Sequence, residues 1–554
     1  MTAASSVTDV EASAGKVNKT DITEKDDAAS QTVDAEPEYP SFAKLVPIIL
    51  ALYLAVFLVA LDQTIIGTAI PRITDQFKSI SDIAWYGSAY FLTSTALQPS
   101  YGRIYKIFNV KWAFLVAITL FEIGSLICAV APSSTALIVG RAIAGIGVAG
   151  IFSGAMVIIA MTVPLAKRPL LFGMFGLVWG VSSIAGPLLG GVFTDNLSWR
   201  WCFYINLPIG GLSILVIFFF LHLPGKNEFA GKPFRERLNQ LDLLGASLLI
   251  PAIICLLLAL QWGGNQYPWN NSRIIGLFVG FGLLAILFAI SQVYMGEKAT
   301  LPPRILKQRS VLAAAIFAML FGGAFFLLVY YVPIFFQSVE GSSAQKSGIQ
   351  LLPMMLATVV SSVVMGGAIT AVGYYAPFLI VSAAITAIGT GMITTYDVGI
   401  SSAKWIGYQI IVGAGTGAGF QVPMTAVQTV LPAADIPVGT AIVMAAQTLG
   451  GALFIAVAQS VFQNGLISGV QQYAPSVNPE AIVGGGATAT RQVLTDLGQL
   501  DQLANVIKAY MSGLRDAYRV SLALAVCAFV ASLFLEWKSV KKTENKGEMV
   551  VPAL

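Results

Sequence analysis

Charged residues are scarce in this 554-residue chain, at 11% of the total, whereas hydrophobic residues make up 56%. A soluble globular domain carries roughly 25% charged residues, because its surface must stay wetted. A large apolar core does not explain the shortage, but a chain whose main solvent is lipid does. The formal net charge of +4 is too small to indicate a nucleic-acid partner. The composition therefore predicts an all-α polytopic membrane protein in contact with the lipid bilayer.

Histidine and cysteine are also rare, which excludes several kinds of site. The one histidine, His222, excludes a His-rich metal site. The four cysteines lie in or beside apolar runs, so we expect small buried residues and no disulfide framework. They are Cys128, Cys202, Cys255 and Cys527. With no cluster of His, Asp and Cys, we expect neither a metal, nor a cofactor, nor an enzyme.

The first 45 residues differ from the rest of the chain, with nine acidic residues and four lysines among Ser, Thr and Ala. Such a segment buries too little apolar surface to offset its ordering entropy, so we predict a disordered tail at 1–45. It lacks the basic start and short apolar core of a cleavable signal peptide. The first apolar run is therefore expected to target the chain to the membrane.

Long apolar runs fill the sequence from residue 46 to residue 537. A spanning helix needs about 20 mostly apolar residues, and fourteen runs meet that length. The stretch at 465–516 is more polar, and we expect an outside loop that is partly helical on the outer surface. An even number of spans places both tails, including 538–554, on the cytoplasmic side.

The distribution of lysine and arginine supports this topology. With the N-terminus inside, the inside loops and the C-terminal tail carry seventeen basic residues and the outside segments ten, as the positive-inside rule expects. The last inside loops, near Gly373 and Ala434, carry none. The sequons at Asn196 and Asn270 fall on outside loops and are predicted glycosylation sites.

Three charged residues lie inside the apolar runs, namely Asp62, Glu122 and Arg141. Charge in a span is costly, so each is a functional hypothesis by default. Burial disfavours the charged form of Asp62, which suits a group that takes up and releases a proton. The alternative is a helix-end carboxylate held by a backbone amide or an arginine.

Arg141 keeps its proton and therefore needs a partner or water. It either anchors an acid and polarises a proton site, or ties the ends of two spans together. Glu122 is either an inward proton site or a polar contact between neighbouring helices.

Two glycine patterns need separate interpretations. Gly145, Gly147 and Gly150 match a dinucleotide-binding fingerprint, but they lie in an unbroken apolar run where small residues let helices approach. We therefore reject a nucleotide site. The fifth run carries glycines and a proline that predict a close-contact face between moving halves, or ordinary tight packing. These residues are Gly180, Gly186, Pro187, Gly190 and Gly191.

Aromatic residues and neutral amides in the spans would suit a bulky, largely apolar solute with a few polar atoms. Lipid-facing positions are the alternative for the aromatics. The candidate substrate-cavity residues are Gln63, Tyr330, Tyr331, Gln337, Gln421 and Gln428.

Several motifs together resemble the fourteen-span drug:proton antiporters of the major facilitator superfamily. They are "LDQTIIGTAIPRI" (61–73), "RAIAGIGVAG" (141–150), "GVSSIAGPLLGG" (180–191) and "LSWRWCFYINLPIGG" (197–211). The continuation resembles the fungal toxin and multidrug efflux branch, with "LDLLG" (241–245), "LPPRILKQRS" (301–310), "YYVPIFFQ" (330–337) and "SGIQLLP" (347–353). The likeness covers nearly the whole chain except the N-terminal tail and 465–516.

The resemblance implies two six-helix bundles, at 46–223 and 311–537, around a central substrate cavity, with two inserted helices at 240–295. It implies proton or cation handling by Asp62, proton coupling by Arg141, and an antiporter signature at Gly186 and Pro187. One motif departs from the family pattern. In "YGRIYKIFNVK", Lys106 stands where the family has an acid, although Gly102, Arg103 and Lys111 remain.

Three kinds of function fit these observations. The first is a proton-driven exporter of drugs, toxins or secondary metabolites. The second is a carrier for a specific solute such as a siderophore or a basic amino acid, which would favour fixed charges that the second half lacks. The third is a membrane enzyme or receptor, which would need a catalytic cluster or a soluble module. We predict the exporter, in the plasma membrane, with the vacuolar membrane as the alternative.

Overall fold

The computed structural model describes residues 40–78, 82–223, 231–264 and 267–541. Both tails predicted from the sequence lie outside the described residues, the N-terminal one as far as residue 39 and the C-terminal one beyond residue 541. Fifteen helices of 15 residues or more occur in the part of the chain that is described. They are α1 (Phe42–Phe77), α2 (Ile83–Ile107), α3 (Val110–Val130), α4 (Ser134–Thr162), α5 (Arg168–Asn196), α6 (Asn206–Phe220), α7 (Leu243–Trp262), α8 (Ser272–Met295), α9 (Arg309–Ser338), α10 (Leu352–Val372), α11 (Ala376–Ile393), α12 (Ser402–Val430), α13 (Ile436–Tyr473), α14 (Pro479–Asp496) and α15 (Leu503–Ser532).

Twelve helical segments among the described residues are long and apolar enough to cross a membrane. They correspond to every helix listed above except α2, α14 and α15. Polar side chains such as Gln98 interrupt α2, and α15 carries Lys508, Arg515 and Asp516 in its first half. The count of twelve is therefore two below the fourteen spans expected from the sequence, and both missing spans are runs with polar interruptions.

Helix bounds differ from the expected ones at both ends of the described chain. The first helix begins at Phe42, inside the segment expected to be a tail, because apolar residues already start there. The expected outside loop at 465–516 is mostly helix: α13 continues to Tyr473, α14 fills 479–496, and α15 begins at Leu503. Breaks between these helices occur around 474–478 and 497–502.

The long helices form two bundles. In the first, α3 packs along α4, α2 along α4, and α1 along α5 and α6. In the second, α10 and α11 pack on α12, while α13 and α15 pack on α9. The two largest contacts between the bundles are α5 with α10 and α2 with α13, and α4 with α13 and α5 with α12 also meet. We call these assemblies the N bundle (α1–α6) and the C bundle (α9–α13 and α15).

Helices α7 and α8 lie between the two bundles in the sequence. In space they pack against each other, beside the bundles. Only α7 of this inserted pair makes extensive contact with the bundles among the described residues, through α2 and α13. Gln261 Nε2 donates a hydrogen bond to Ser88 Oγ at 2.8 Å, and Trp262 meets Trp85 edge to face. The inserted pair therefore lies against the seam where α2 and α13 join the bundles.

Hydrogen bonds between the bundles concentrate toward one side. We call the side where α1 begins and α15 ends the tail side, and the opposite side the far side. Three of the four hydrogen bonds that join the N and C bundles in the described residues lie in the tail-side half, and they are Lys106 to Asp435, Arg168 to Gln428, and Ser362 to Gly173. The fourth, from Thr448 to Gln98, lies near the middle. The bundles are therefore closed on the tail side.

Candidate functional site

Asp62 and Arg141 form a buried ion pair in the core of the N bundle. An Arg141 Nη1 group donates to Asp62 Oδ2, and their side chains are 1% and 0% exposed. Arg141 Nε donates to the Tyr86 carbonyl oxygen at 2.8 Å, and the guanidinium lies 4.3 Å from the centre of the Tyr90 ring. The arginine is thus satisfied by an anion, a carbonyl and an aromatic face, as a buried guanidinium requires.

Asn206, at the start of α6, extends this pair and was not among the residues expected from the sequence. Its Nδ2 donates to Asp62 Oδ1 at 3.4 Å and to Ser125 Oγ at 3.1 Å. The side chain is fully buried. The available signal was an asparagine within the apolar start of a helix, where a buried amide needs partners. Asn206 therefore links the carboxylate on α1 to α3.

Glu122 lies one turn from Ser125 on α3 and is buried, at 9% exposure. Neither of its carboxylate oxygens has a hydrogen-bond partner among the described residues. The carboxylate rests on Gly210 of α6, where a Cβ would collide with Oε1. Burying an isolated carboxylate is costly unless it is paired or protonated. The structure thus brings the three expected charged residues into one bundle, with two paired and one unpaired.

The glycines of α5 serve two contacts. A Cβ at Gly180 would collide with Val359 of α10, in the other bundle. Cβ atoms at Gly186 and Gly190 would collide with Thr64 and Thr68 of α1.

Two other members of the expected signature make no such contact. A Cβ at Gly191 would have no neighbour within 4 Å. Pro187 lies inside the helix, and its side chain is exposed. The glycines and the proline of α5 therefore do not form one contact face, because different turns of α5 contact different helices.

The fingerprint-like glycines lie in the middle of unbroken helix α4, which confirms the helix-packing interpretation. Gly145 abuts the backbone of Tyr90 on α2, and Gly147 abuts Ala117 and Phe121 on α3. Close approach of neighbouring helices is what small residues permit in a membrane bundle.

The expected substrate-cavity residues are spread over several places. Gln63 is partly exposed beside Asp62. Tyr330 is 50% exposed, whereas Tyr331 is fully buried and donates to Gln459 Oε1 at 3.3 Å. Gln337 Nε2 donates to Ser347 Oγ at 2.8 Å near the far end of α9. Adjacent positions on a helix point 100° apart, so the paired tyrosines face different surroundings.

Gln421 and Gln428 lie in the tail-side closure between the bundles. Gln421 Nε2 donates to Ser362 Oγ at 2.6 Å, and that hydroxyl donates to the Gly173 carbonyl at 2.9 Å. Gln428 Oε1 accepts from Arg168 Nη1 at 3.3 Å. Both amides were expected in the cavity, and in this closed arrangement both lie at the interface between the bundles.

Lys106 stands where the family pattern has an acid, and it forms an ion pair with an acid from a distant part of the chain. Its Nζ lies 2.7 Å from Asp435 Oδ1, at the start of α13. Arg304 Nη2 lies 2.7 Å from the other oxygen of Asp435, and Arg304 also pairs with Glu297 at 2.9 Å. The two hydrogen-bonded carboxylates raise the pKa of the Arg304 guanidinium. Asp435 was not expected from the sequence, because an acid in a short loop looks solvated.

The other residues expected in this loop lie near the ends of helices α2 and α3 instead, and they also hold elements together. A Cβ at Gly102 would lie 2.7 Å from the Ala441 Cβ, so the glycine permits close contact of α2 with α13. Arg103 Nη1 and Nη2 donate to the carbonyls of Glu297 and Gln240 at 2.9 and 3.0 Å. Lys111 Nζ donates to the Phe218 carbonyl at 2.6 Å, at the end of α6.

The sequons and cysteines have simple environments. Asn196 is exposed at the end of α5, where its Nδ2 donates to the Val192 carbonyl at 3.1 Å, and Asn270 is also exposed. Cys128 and Cys202 are buried as expected, and Cys255 is intermediate. The expectation is wrong for Cys527, which is exposed on the outer face of α15 beside Val526.

Comparisons with known proteins agree with this architecture. A family model described as Major Facilitator Superfamily matches residues 52–455. The chain is 52% identical over 510 residues to the "MFS-type efflux pump MFS1" of Trichophyton rubrum, covering 92% of this chain and 94% of that protein. It is 49% identical over 500 residues to the "Efflux pump aflT" of Aspergillus parasiticus, covering 90% and 96%.

A solved structure supports the fold. The proton:xylose symporter XylE superposes with a TM-score of 0.58 at 14% identity, covering 90% of this chain and 97% of that chain. At this identity the likeness concerns the fold alone. Because the family model matches more than half of the chain and the relatives cover it almost end to end, the chain belongs to the Major Facilitator Superfamily, in the branch of fungal efflux pumps, and is a multi-pass membrane efflux transporter and not an enzyme.

Proposed function

We propose that this transporter exports bulky, largely apolar secondary metabolites, toxins or drugs in exchange for inward-moving protons, and that its proton site lies in the N bundle. The observation that carries the proposal is the buried cluster of Asp62, Arg141 and Glu122, in which one carboxylate is paired and the other is not.

Glu122 is the proton-exchanging group in this scheme. An isolated buried carboxylate is stable only when it is neutral, so an unpaired Glu122 holds a proton in the closed arrangement. Asp62 is instead paired with Arg141, which compensates a carboxylate at this position. A change in the helix packing that hydrates Glu122 lets its proton leave. The alternative role for Glu122, a plain polar contact between helices, predicts no effect on coupling.

The substrate class is supported by the chemistry of the C bundle and by the relatives. Helices α9, α10, α11 and α13 contain no acidic residue, so a multiply cationic solute finds no fixed counter-charge from them. A neutral, aromatic-rich lining suits a largely apolar solute. Relatives with 52% and 49% identity are named efflux pumps.

The membrane topology in this proposal has fourteen spans. Helices α2 and α15 are 25 and 30 residues long, which exceeds the about 20 residues that a span needs. Each packs lengthwise on helices of the twelve, α2 on α4 and α15 on α9. The polar residues of α2 are buried or half-buried against protein, whereas α15 exposes Lys508 and Arg519. The tail side is then cytoplasmic, in agreement with the excess of basic residues there.

The last two tail-side loops, near Gly373 and Ala434, have no basic residue of their own, but basic side chains from other segments contact them. Lys541 Nζ donates to the Ala371 carbonyl at 2.5 Å, beside Gly373. Lys106 and Arg304 reach Asp435, beside Ala434. The cytoplasmic placement of the tail side therefore extends to the last loops.

Plasma-membrane placement and glycosylation at Asn196 and Asn270 complete the proposal. Both asparagines are exposed on the far side, which is the outside in this topology. A fluorescent fusion in yeast distinguishes the cell surface from the vacuolar membrane, and a glycosidase mobility shift lost in Asn196→Gln or Asn270→Gln identifies a used sequon.

The test uses pump-deficient yeast loaded with rhodamine 6G, a bulky and largely apolar fluorescent dye. Cells express wild type, Asp62→Asn or Glu122→Gln at matched surface levels, and dye efflux is measured with and without an imposed pH gradient. We expect gradient-dependent efflux from wild-type cells and its loss in both variants. Normal gradient-driven efflux by both variants would show that the proton site does not lie in the N bundle.

A further inference from the structure

Asp435 joins three separate parts of the molecule on the tail side. One oxygen accepts from Lys106 of the N bundle at 2.7 Å, and the other accepts from Arg304 at 2.7 Å. Arg304 lies in the exit connector, which we define as residues 296–308 between α8 and α9. Asp435 itself precedes α13 of the C bundle. A single carboxylate is thus shared by both bundles and by the segment that follows the inserted pair.

The carboxylate is held in a buried and electrostatically favourable place. Its side chain is 4% exposed, against 14% for Lys106 and 53% for Arg304. It lies at the N-terminal end of α13, where the helix dipole favours negative charge. Removing one partner of a buried ion pair is strongly destabilising because it leaves an uncompensated charge. The Asp435 contacts are therefore worth more than a surface ion pair.

The inserted pair is braced against the same place. Arg103 of α2 donates to the carbonyl of Gln240, before α7, and to that of Glu297, after α8. Glu297 in turn holds Arg304. Ile305 is 1% exposed and belongs to the apolar cluster shared by both bundles.

The base of the inserted pair is rigid. Buried Asp242 accepts from the Gly245 amide at 2.6 Å, from Gln292 Nε2 at 2.7 Å and from the Thr300 amide at 2.8 Å. These bonds tie the start of α7 to the end of α8 and to the exit connector. Arg304 therefore moves with the inserted pair and not as an isolated side chain.

We propose that Asp435 is the central residue of a tail-side gate in which the inserted helix pair acts as a third body, clamping the closed state through Arg304. The proposal rests on the proposed function, because alternating export requires the tail side to open for loading. Opening separates α2 from α13, which breaks the Lys106 contact and pulls Asp435 away from Arg304. The gate has the reverse polarity of the family pattern, with the base on α2 and the acid on α13.

The experiment measures opening directly and independently of substrate. The native cysteines are replaced, and a reporter cysteine is placed at Ser362, which is 1% exposed between the bundles. Everted membrane vesicles are treated with a membrane-impermeant maleimide, and the labelling rate is measured. A cysteine at exposed Phe234 checks that the reagent reaches the tail side.

In this assay, Asp435→Asn is expected to raise the labelling rate at least about fivefold, which is within the range typical of conformational coupling. Arg304→Gln is expected to raise the rate by a smaller factor. The matched control is Glu236→Gln, which breaks the exposed pair with Lys232 that joins no two bodies. It should label at the background rate. Equal labelling of Arg304→Gln and Glu236→Gln would overturn the role of the inserted pair.

Exchanging the charges of the gate residues should restore closure, and a purely structural role of these residues would not show such a rescue. The double variant Lys106→Asp with Asp435→Lys restores that pair but opposes Lys to Arg304, so labelling stays high. Adding Arg304→Glu and Glu297→Arg should return it toward the background rate. Full closure by the double variant alone would contradict the three-body gate. Because labelling needs no dye and no gradient, failure here is separate from failure of proton-coupled export.

Discussion

Buried charge in the N bundle is compensated unevenly, and this difference assigns separate roles to two carboxylates. Asp62 has Arg141 and Asn206 as partners, so it ties α1 to α4 and α6. Glu122 is buried without a hydrogen-bond partner among the described residues, so a proton is the compensation open to it. The ion pair and the proton site proposed at Glu122 are then neighbours with different chemistry.

Removing one partner of the ion pair should cost more than removing both. Arg141→Gln leaves Asp62 buried and uncompensated, at about 3–5 kcal/mol, so the purified protein should lose thermal stability. Asp62→Asn with Arg141→Gln should recover much of that loss, because no charge is left unpaired. Size-exclusion profiles after heating measure the surviving fraction. A double variant less stable than Arg141→Gln would contradict this account.

The packing of Glu122 on α6 offers a matched pair of neighbouring glycines. A Cβ at Gly210 collides with the carboxylate of Glu122, whereas a Cβ at Gly211 has no neighbour within 4 Å. Gly210→Ala should therefore displace the carboxylate and lower gradient-driven dye efflux about tenfold, equivalent to 1.4 kcal/mol. Gly211→Ala should transport like wild type. Equal efflux from the two variants would show that the position of Glu122 does not matter.

Single residues differ in how well sequence predicts them. Asp62, Glu122 and Arg141 were identifiable because charge in an apolar run is rare and costly. Asn206 and Asp435 were not, because an amide near a helix start and an acid in a short loop are ordinary. The partner of Asp435 is 329 residues away in sequence, and no local pattern encodes which loops meet when two bundles dock.

Among the helices, α5 shows how one apolar segment serves two interfaces. Gly180 approaches α10 of the C bundle, whereas Gly186 and Gly190 approach α1 of the N bundle. The glycine-rich sequence predicted close packing correctly. It could not predict which glycine meets which helix, because that depends on the rotation of α5 about its axis, and one residue changes the direction by 100°.

Adjacent glycines in α5 test this division. A Cβ at Gly190 would lie 2.8 Å from the Ile65 carbonyl oxygen, but one at Gly191 meets nothing within 4 Å. Gly190→Ala should cost about 1–3 kcal/mol by overpacking α5 against α1 and lower the amount of folded protein. Gly191→Ala should not. The readout is thermal survival in detergent, and equal losses would place the contact elsewhere.

The segment at 465–516 illustrates how polarity misleads about helices. Its polar residues suggested an outside loop with partial helix, whereas three helices occupy most of it and α15 starts at Leu503. Helix α15 alternates charged and buried apolar positions in its first half, with Val506, Tyr510 and Leu514 buried. An amphipathic helix on the C bundle has lower mean hydropathy than a lipid-facing span, so an apolar-run count misses its beginning.

Viewed as a whole molecule, the protein has two bundles closed on the tail side and an inserted pair at one seam. The sequence predicted the helical class, but it predicted fourteen spans where twelve candidate spans occur among the described residues. The closure depends on contacts between residues of distant segments. With the tail side cytoplasmic, as proposed above, this closed arrangement is the state in which an exporter releases its solute outward.

Fourteen spans require both chain ends to lie on the same side of the membrane. In the proposed topology α2 and α15 both cross the bilayer, so epitope tags at residues 1 and 554 should both stay unstained in intact yeast and become stained after permeabilisation. A tag inserted next to Asn270, on the far side, serves as the positive control. Staining of either terminus in intact cells would show that one of these helices does not cross.

The central claim is that Glu122 couples solute export to protons. Wild type and Glu122→Gln are reconstituted in liposomes containing a pH-sensitive dye, and proton flux is measured when rhodamine 6G is added under an imposed pH gradient. We predict dye-triggered proton flux for wild type, and none for Glu122→Gln, which mimics the protonated residue and still exchanges dye down its gradient. Wild-type proton flux in Glu122→Gln would contradict the account.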